Sequence, residues 1–321
     1  MSKRINKILV TGGAGFIGSE FTRQAVRKGY KVIVLDKLTY AGDLNRLLEI
    51  KGKYVFYKCD ICDQKQVELI FKKERPHAVI NFAAETHVDR SILDASSFIE
   101  TNIKGVRILM DASRISRVER FIQISTDEVY GETRGGIFHE GSRLKPNSPY
   151  SASKAAADLL IGSYIRTYDF PALIIRPSNN YGPWQYPEKL IPVAINKAMQ
   201  KEKVPVYAKG LNVREWLYVS DCAQGILLLL KQAKLGEVYN IGSGRRMKNI
   251  DLVKLILKIM GMPESLIEYV KDRPGHDFRY ALNCAKAKKL GFKPRISFSS
   301  GLKNTITWNM ENSKWVKNIT G

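Results

Sequence analysis

Cysteine is scarce in this chain. Cys59, Cys62, Cys222 and Cys284 are the four found in 321 residues. That excludes a disulfide scaffold, the device of small secreted domains. Cys59-Asp60-Ile61-Cys62 has the C-x-x-C spacing, but it closes an expected strand rather than opening a helix. No second pair of this kind completes a zinc set, so the two cysteines read as small residues flanking a functional Asp60. Histidine is equally scarce. His77, His87, His139 and His276 show no ligand spacing, and no metal is expected. No apolar run approaches membrane-spanning length, and Met1-Ser2-Lys3-Arg4 leads straight into a strand rather than into a signal peptide. The expected location is the cytoplasm, which makes the sequon Asn318-Ile319-Thr320 a chance match. Acidic residues are outnumbered, 31 against 52 Lys and Arg, leaving a net charge of +21. Such a balance can serve nucleic-acid binding. The lysines are scattered, however, and no arginine-rich arm or aromatic RNA-binding signature accompanies them. The charge reads as a solvated surface and as a field suited to a doubly anionic nucleotide diphosphate.

What is present begins with Lys7-Ile8-Leu9-Val10-Thr11, an apolar, β-branched run that predicts a buried strand. It runs into Gly12-Gly13-Ala14-Gly15-Phe16-Ile17-Gly18 and then a helix-period stretch to Lys28. Strand, glycine turn, helix is the context in which such a motif binds a dinucleotide. Gly12 permits the tight turn, Gly15 admits the pyrophosphate, and Gly18 lets helix and strand pack closely. The helix N-terminus faces the anion. The next strand, 31–36, ends in Asp36 about twenty residues on, where a carboxylate accepts both adenosine ribose hydroxyls and favours NAD over NADP.

Strands are predicted at 7–11, 31–36, 54–58, 78–82, 120–125 and 172–177. Helices between them include 96–115 and 149–167. This alternation predicts an α/β fold: a Rossmann-type, doubly wound parallel sheet covered on both faces. After Pro177 the pattern breaks into shorter pieces. They include helices near 188–201, 221–231 and 249–260, a strand near 204–207, and the segment Arg214 to Val219. The expected division is an NAD-binding domain at 1–177, with returning segments near 215–240. The remainder, 178–321, is mainly a smaller, interleaved substrate-binding domain. No repeat, low-complexity tract or flexible linker interrupts it.

Two segments carry the chemistry. Tyr150-Ser151-Ala152-Ser153-Lys154 opens a helix after Pro149, placing Tyr150 and Lys154 on one face. A tyrosine of ordinary pKa near 10 is a poor base at neutral pH. A lysine ammonium beside it favours the phenolate, so that Tyr150 takes an alcohol proton while a hydride leaves for the nicotinamide. Such a pair is common on helix surfaces, and it gains meaning only from the dinucleotide fold. The second segment, Ser125-Thr126-Asp127-Glu128-Val129-Tyr130-Gly131, lies where strand 120–125 ends, and ligands of open α/β sheets bind at strand carboxyl ends. Once a sugar C4 hydroxyl becomes a ketone, the C5 proton is acidic. One carboxylate can then remove it while its neighbour protonates the departing C6 hydroxyl. Together the segments suggest oxidation, loss of water and return of the hydride.

With these motifs the chain resembles the extended short-chain dehydrogenase/reductase superfamily, and within it the dTDP-glucose 4,6-dehydratases. The resemblance covers essentially the whole chain. It also rests on Asp36-Lys37-Leu38-Thr39-Tyr40-Ala41-Gly42, on Ala83-Ala84-Glu85-Thr86-His87-Val88-Asp89-Arg90-Ser91, and on Arg176-Pro177-Ser178-Asn179-Asn180-Tyr181-Gly182-Pro183. Leu211-Asn212-Val213-Arg214 and Asp272-Arg273-Pro274-Gly275-His276-Asp277 complete it. It implies that Thr126 hydrogen-bonds the C4 oxygen, that Tyr150 is the oxidation base and that Lys154 holds the nicotinamide ribose. By the same resemblance Asp127 protonates the C6 hydroxyl and Glu128 removes the C5 proton. Implied NAD contacts are Gly12, Gly15, Phe16, Ile17, Gly18, Asp36, Lys37, Leu38, Thr39, Asp60, Ile61, Ala83, Ala84, Thr101, Tyr150, Lys154 and Asn180. Implied sugar-nucleotide contacts are Thr86, Thr126, Asn179, Lys189, Leu190, Pro205, Tyr207, Arg214, Asn249, Arg273 and His276, with Arg214 and Arg273 near the diphosphate and Pro205-Val206-Tyr207 at the base. A cytoplasmic homodimer built on helices 96–115 and 149–167 is implied, working in deoxysugar biosynthesis of the rhamnose type.

The chain departs from the family pattern where Ala208-Lys209-Gly210 replaces a common Gly-Asp-Gly. It also ends shortly after Trp315, so a tail contact to the sugar nucleotide is not expected. UDP-glucose 4,6-dehydratases share nearly all these motifs. UDP-sugar epimerases commonly carry small residues at the places of Asp127 and Glu128, and UDP-glucuronate decarboxylases keep the glutamate without the aspartate. A catalytically silent nucleotide- or nucleic-acid-binding protein would not need the Tyr150/Lys154 pair.

Overall fold

The computed structural model describes residues 5–320. Met1 to Arg4, expected to lead directly into the first strand, lie outside the described residues. In chain order the strands are β1 Lys7–Thr11, β2 Lys31–Asp36, β3 Tyr54–Lys58, β4 Ala78–Asn81, β5 Arg120–Ile124 and β6 Ala172–Pro177. They continue with β7 Asn179–Tyr181, β8 Val204–Tyr207, β9 Val213–Tyr218, β10 Val238–Ile241, β11 Arg246–Lys248 and β12 Ile267–Val270. The main sheet runs β10-β6-β5-β4-β1-β2-β3, and every pairing in it is parallel.

Strand periodicity divides the buried side chains between two layers. Ile8 and Val10 of β1, Val32 and Val34 of β2, and Ile122 of β5 join one cluster with Phe21 and Ala25 of helix Phe16–Arg27 and Ile226 and Leu230 of helix Val219–Gln232. Leu9, Ile33, Leu35 and Phe121, one residue out of phase, join the other with Phe71, Leu109 and Ile161. Both faces are therefore covered by helices, as a parallel sheet requires. The strand order reverses between β1 and β4, which opens a crevice at their carboxyl ends.

The predicted helix 96–115 is not continuous. Ser96–Ile99 and Val106–Ile115 flank a wider, π-helical stretch, Glu100–Gly105. Turns of this type gather at functional sites. Here the stretch presents Asn102, which accepts from the Glu85 amide at 2.9 Å and donates to Ser153 Oγ at 2.9 Å. Helix Pro149–Tyr168 starts where the sequence placed it. Ser148 and Ser151 form a reciprocal capping box and Pro149 sits at the first helical position, both strong start signals.

After Pro177 the expected smaller pieces form. Helices Leu190–Met199 and Asn249–Ile259 pack with Tyr181, Val204, Trp216 and Ile306 into a third cluster. β9 pairs with β7 and β11, and β8 pairs in parallel with β12. β10 is the segment that returns to the large sheet. Among the described residues no helix is long and apolar enough to cross a membrane.

Arg46 pins the glycine turn to the later half of the chain. Only 1% exposed, it donates to the carbonyls of Ala14 at 2.9 Å, Ala41 at 2.6 Å and Trp184 at 3.1 Å. Burial lowers its pKa to about 10, which leaves it charged at neutral pH. Arg46→Met would fill the volume but strip those carbonyls of their donor. It should lower stability by about 2–3 kcal/mol, read as a lower denaturant midpoint at unchanged slope.

Candidate active site

One cavity of about 640 Å³ runs along the carboxyl ends of the central strands. At one end lies the glycine turn. Gly12 holds φ at +62°, and a Cβ there would stand 2.7 Å from the Ala83 nitrogen. Gly18 faces the Gly12 carbonyl so closely that a Cβ would collide with it. No side chain caps the start of helix Phe16–Arg27, which leaves its first N–H groups available to an anion. Gly15, Phe16 and Ile17 line the cavity there.

Asp36 closes β2. It accepts from the Ala14 amide at 2.9 Å through one oxygen and from the Leu38 amide at 2.8 Å through the other. Burial raises its pKa, while those two amides, Arg46 and Lys37 oppose the rise. A carboxylate has about four acceptor sites, so two remain for ribose hydroxyls. Lys37 reaches Asp60 at 3.4 Å and Glu85 at 3.7 Å. Thr39, Asp60, Ile61, Ala83, Ala84, Thr101 and Asn180 all line the cavity. Leu38 does not, contrary to expectation. It sits at φ +55° and serves through its amide on Asp36. These residues fit a dinucleotide: the turn is open where a side chain would fill it, and Ser178 Oγ and Asn179 Oδ1 are buried without partners at the far wall.

The other end carries the chemistry. Thr126 caps a short turn, Asp127–Tyr130, that throws Asp127 and Glu128 into the cavity. The Thr126 hydroxyl touches the Tyr150 phenol. Asp127 is 2% exposed with Oδ2 unpartnered, and its pKa is raised well above normal by burial, then by Glu128 and Glu215. Burial also raises Glu128, but Arg214, Lys189 and Arg273 pull it back. Both carboxyls are therefore raised, Asp127 well above the usual range and Glu128 less so, because its three cationic neighbours oppose the burial.

The expected activation of Tyr150 by Lys154 takes another form. Burial, and then the Glu128 charge, push the Tyr150 phenol up. Lys154 Nζ instead donates to the Ile124 carbonyl at 2.6 Å. Desolvation lowers its own pKa to about 8, opposed by Asp158. In this arrangement the phenol is protonated, and the ammonium is fastened to the end of β5.

Every expected sugar-nucleotide contact reaches the same cavity. Lys189 donates to the Thr86 carbonyl at 2.8 Å. Arg214 donates to the Asp277 carbonyl at 2.9 Å and lies over the Tyr280 ring. Arg273 pairs with Asp89 at 3.1 Å, and Tyr207 donates to the same carboxylate at 3.0 Å. His276 meets Asp272 at 2.6 Å. Leu190, Asn179, Pro205 and Asn249 line the wall, and Asn249 Oδ1 is buried without a partner. Sequence reasoning missed Glu85, Glu188 and Tyr280 on this wall. Tyr280 lies three residues beyond the Asp272–Asp277 motif, and its hydroxyl stands 3.5 Å from Glu128.

Comparison with known proteins places the chain. The family model for GDP-mannose 4,6 dehydratase matches residues 9–305. The chain belongs to this dehydratase family. Within it, a dTDP-glucose 4,6-dehydratase of Streptomyces niveus is 47% identical, the match covering 96% of this chain and 94% of the relative. One of Xanthomonas campestris pv. campestris is 46% identical over 97% of this chain and 95% of the relative. The crystal structure of DesIV, the dTDP-glucose 4,6-dehydratase of Streptomyces venezuelae, solved with NAD bound, superposes with a TM-score of 0.95. It is 42% identical and the match covers 98% of this chain and 100% of that one.

Proposed function

We propose that this protein is an NAD-dependent hydro-lyase that converts dTDP-glucose to the 4-keto-6-deoxy sugar. The observation that carries the reading is a single cavity holding Thr126, Asp127, Glu128 and Tyr150 at one end and the glycine turn with Asp36 at the other. The family's dTDP-glucose 4,6-dehydratases at 47% and 46% identity support the substrate. The carboxylate pair speaks against an epimerase, which has no elimination to perform, and against a decarboxylase.

Bound NAD supplies reversible storage of one hydrogen with its electron pair. Gly12, Gly15 and Gly18 would admit its pyrophosphate, Asp36 would accept from its adenosine ribose, and Lys154 would hold the nicotinamide ribose. Thr126 fixes the sugar C4 oxygen and Tyr150 takes the C4 hydroxyl proton. The ketone makes the C5 hydrogen acidic. Glu128 removes it, and Asp127 protonates the C6 oxygen, which leaves as water. The resulting C5–C6 alkene, conjugated to the ketone, accepts the stored hydrogen at C6 and a proton at C5. Arg214 and Arg273 take the diphosphate, and Pro205 and Tyr207 flank the base. Residues 1–177 with β10 serve mainly the cofactor and 178–321 mainly the sugar nucleotide. We place the enzyme in the cytoplasm, and as a homodimer because Ile99, Ile115 and Leu159 on the helices named for that interface are exposed, and a shared apolar face of this kind is normally covered.

Separate incubations with dTDP-glucose, UDP-glucose and GDP-mannose, read by mass spectrometry for loss of one water, test the activity and the nucleotide. Isotope placement tests the route. Deuterium at C4 of the glucose unit should finish in the C6 methyl group of the same molecule, while C5 takes hydrogen from solvent. An epimerase would return the label to C4, and a decarboxylase would make no methyl group.

A further inference from the structure

Behind Tyr150 and Lys154 lies a buried acid that the reaction does not consume. Asp158 is on the same helix, one turn beyond Lys154, and is 3% exposed. One of its oxygens, Oδ2, accepts from Ser125 Oγ at 3.0 Å and from Arg176 Nε at 2.8 Å. The other, Oδ1, is buried with no donor. Ser125 immediately precedes Thr126, Asp127 and Glu128. The preceding residue, Ile124, supplies the carbonyl that receives Lys154. Two bonds therefore join the helix to the end of β5, and Asp158 makes one of them.

Arg176 does not free-ride on this contact. It donates to Tyr130 Oη at 2.8 Å, and Tyr130 donates to Asn240 Oδ1 at 2.8 Å. That chain of contacts fixes the carboxylate from β6 and β10. Burying an ion pair costs desolvation that its Coulomb gain seldom exceeds, so its presence here calls for a use. The geometry points to Asp158 as a positioning residue of the proposed reaction: its carboxylate locks the oxidation helix to the acid–base turn, and its charge stands opposite the Lys154 ammonium. The inference rests on the dehydratase reading.

Asp158 and Tyr150 lie on the helix of Lys154, Arg176 on β6, and Asp127 and Glu128 on the turn after β5. Burial works against the ammonium and Asp158 is the charge that opposes it. A neighbouring opposite charge typically moves a pKa by about 1–3 units.

Asp158→Asn keeps the acceptor oxygen for Ser125 and removes the charge. The alkaline limb of kcat should move to lower pH by about one unit, so that kcat at pH 8.5 falls about tenfold while KM for dTDP-glucose stays within about twofold. Thermal unfolding, followed in parallel, separates this from damage to the fold. A lower melting temperature with a pH profile that superimposes on the wild type would overturn the proposal. If Asp158→Asn does not fold, Arg176→Gln carries the test. It removes the guanidinium that opposes the effect of burial on Asp158, so the carboxyl moves toward its neutral form and the limb should again move to lower pH, and an unmoved or alkaline-shifted limb would overturn the role. Failure of wild-type protein to move C4 deuterium to C6 would instead remove the dehydratase reading itself.

Discussion

Tyr150→Phe protein mixed with dTDP-glucose and NAD should show no reduced nicotinamide, and product formation should fall on the order of 10²–10⁴-fold, the usual cost of a lost general base. The effect should be this large because no other group stands in. Lys154 is committed to the Ile124 carbonyl. Thr126, whose hydroxyl meets the phenol, is an alcohol and cannot take the proton in its place. Glu128 is partly buried beside Arg214, Lys189 and Arg273 and is needed one carbon further along the sugar. The substitution should cost little stability. Tyr150 packs against Val88 and Phe98, and phenylalanine retains those contacts. Binding should also survive, so the variant protein should be protected by dTDP-glucose against thermal unfolding like the wild type. Because burial and Glu128 hold the free phenol protonated, wild-type oxidation should speed up as pH rises, until Lys154 loses its proton near its pKa of about 8. Appearance of reduced cofactor at the normal rate in Tyr150→Phe would remove tyrosine from the step.

What the sequence made legible was local. The glycine turn, Asp36 and the Ser148–Pro149 helix start are signalled by adjacent residues, because turn, cap and strand each need particular side chains at fixed offsets. Strands β1, β2, β4, β5 and β6 announce themselves because a doubly covered strand is a continuous apolar run. β10 is harder to see: Val238-Tyr239-Asn240-Ile241 is short and carries a buried asparagine, and it joins the sheet only through its pairing with β6. The π-helical stretch at Glu100–Gly105 is likewise invisible in a periodic pattern. Its value lies in Asn102 reaching Glu85 and Ser153, contacts across distant parts of the chain. The same limit explains Lys154. Spacing placed it beside Tyr150, but its partner is a carbonyl thirty residues back, and backbone acceptors leave no mark in a sequence. Tyr280 and Glu188 belong to the cavity through tertiary packing alone.

Replacing either carboxyl should stall the reaction later than Tyr150→Phe does. In Asp127→Asn and Glu128→Gln the oxidation residues are intact, so reduced nicotinamide should appear on mixing and then persist, while release of the 4-keto-6-deoxy product falls about 10²–10⁴-fold. The two variants should also differ from each other. Glu128 acts as the base, a role its three cationic neighbours favour. Without it, deuterium at C5 should stay in the oxidised sugar and not wash out into solvent. Asp127 is the better acid because burial and the Glu128 and Glu215 charges keep its proton on. With Glu128 still present in Asp127→Asn, C5 deuterium should exchange with solvent although the C6 hydroxyl cannot leave. If C5 exchange were lost in Asp127→Asn and kept in Glu128→Gln, the acid and the base would have to be interchanged. If neither variant accumulated reduced cofactor, elimination would not be the step these carboxyls serve.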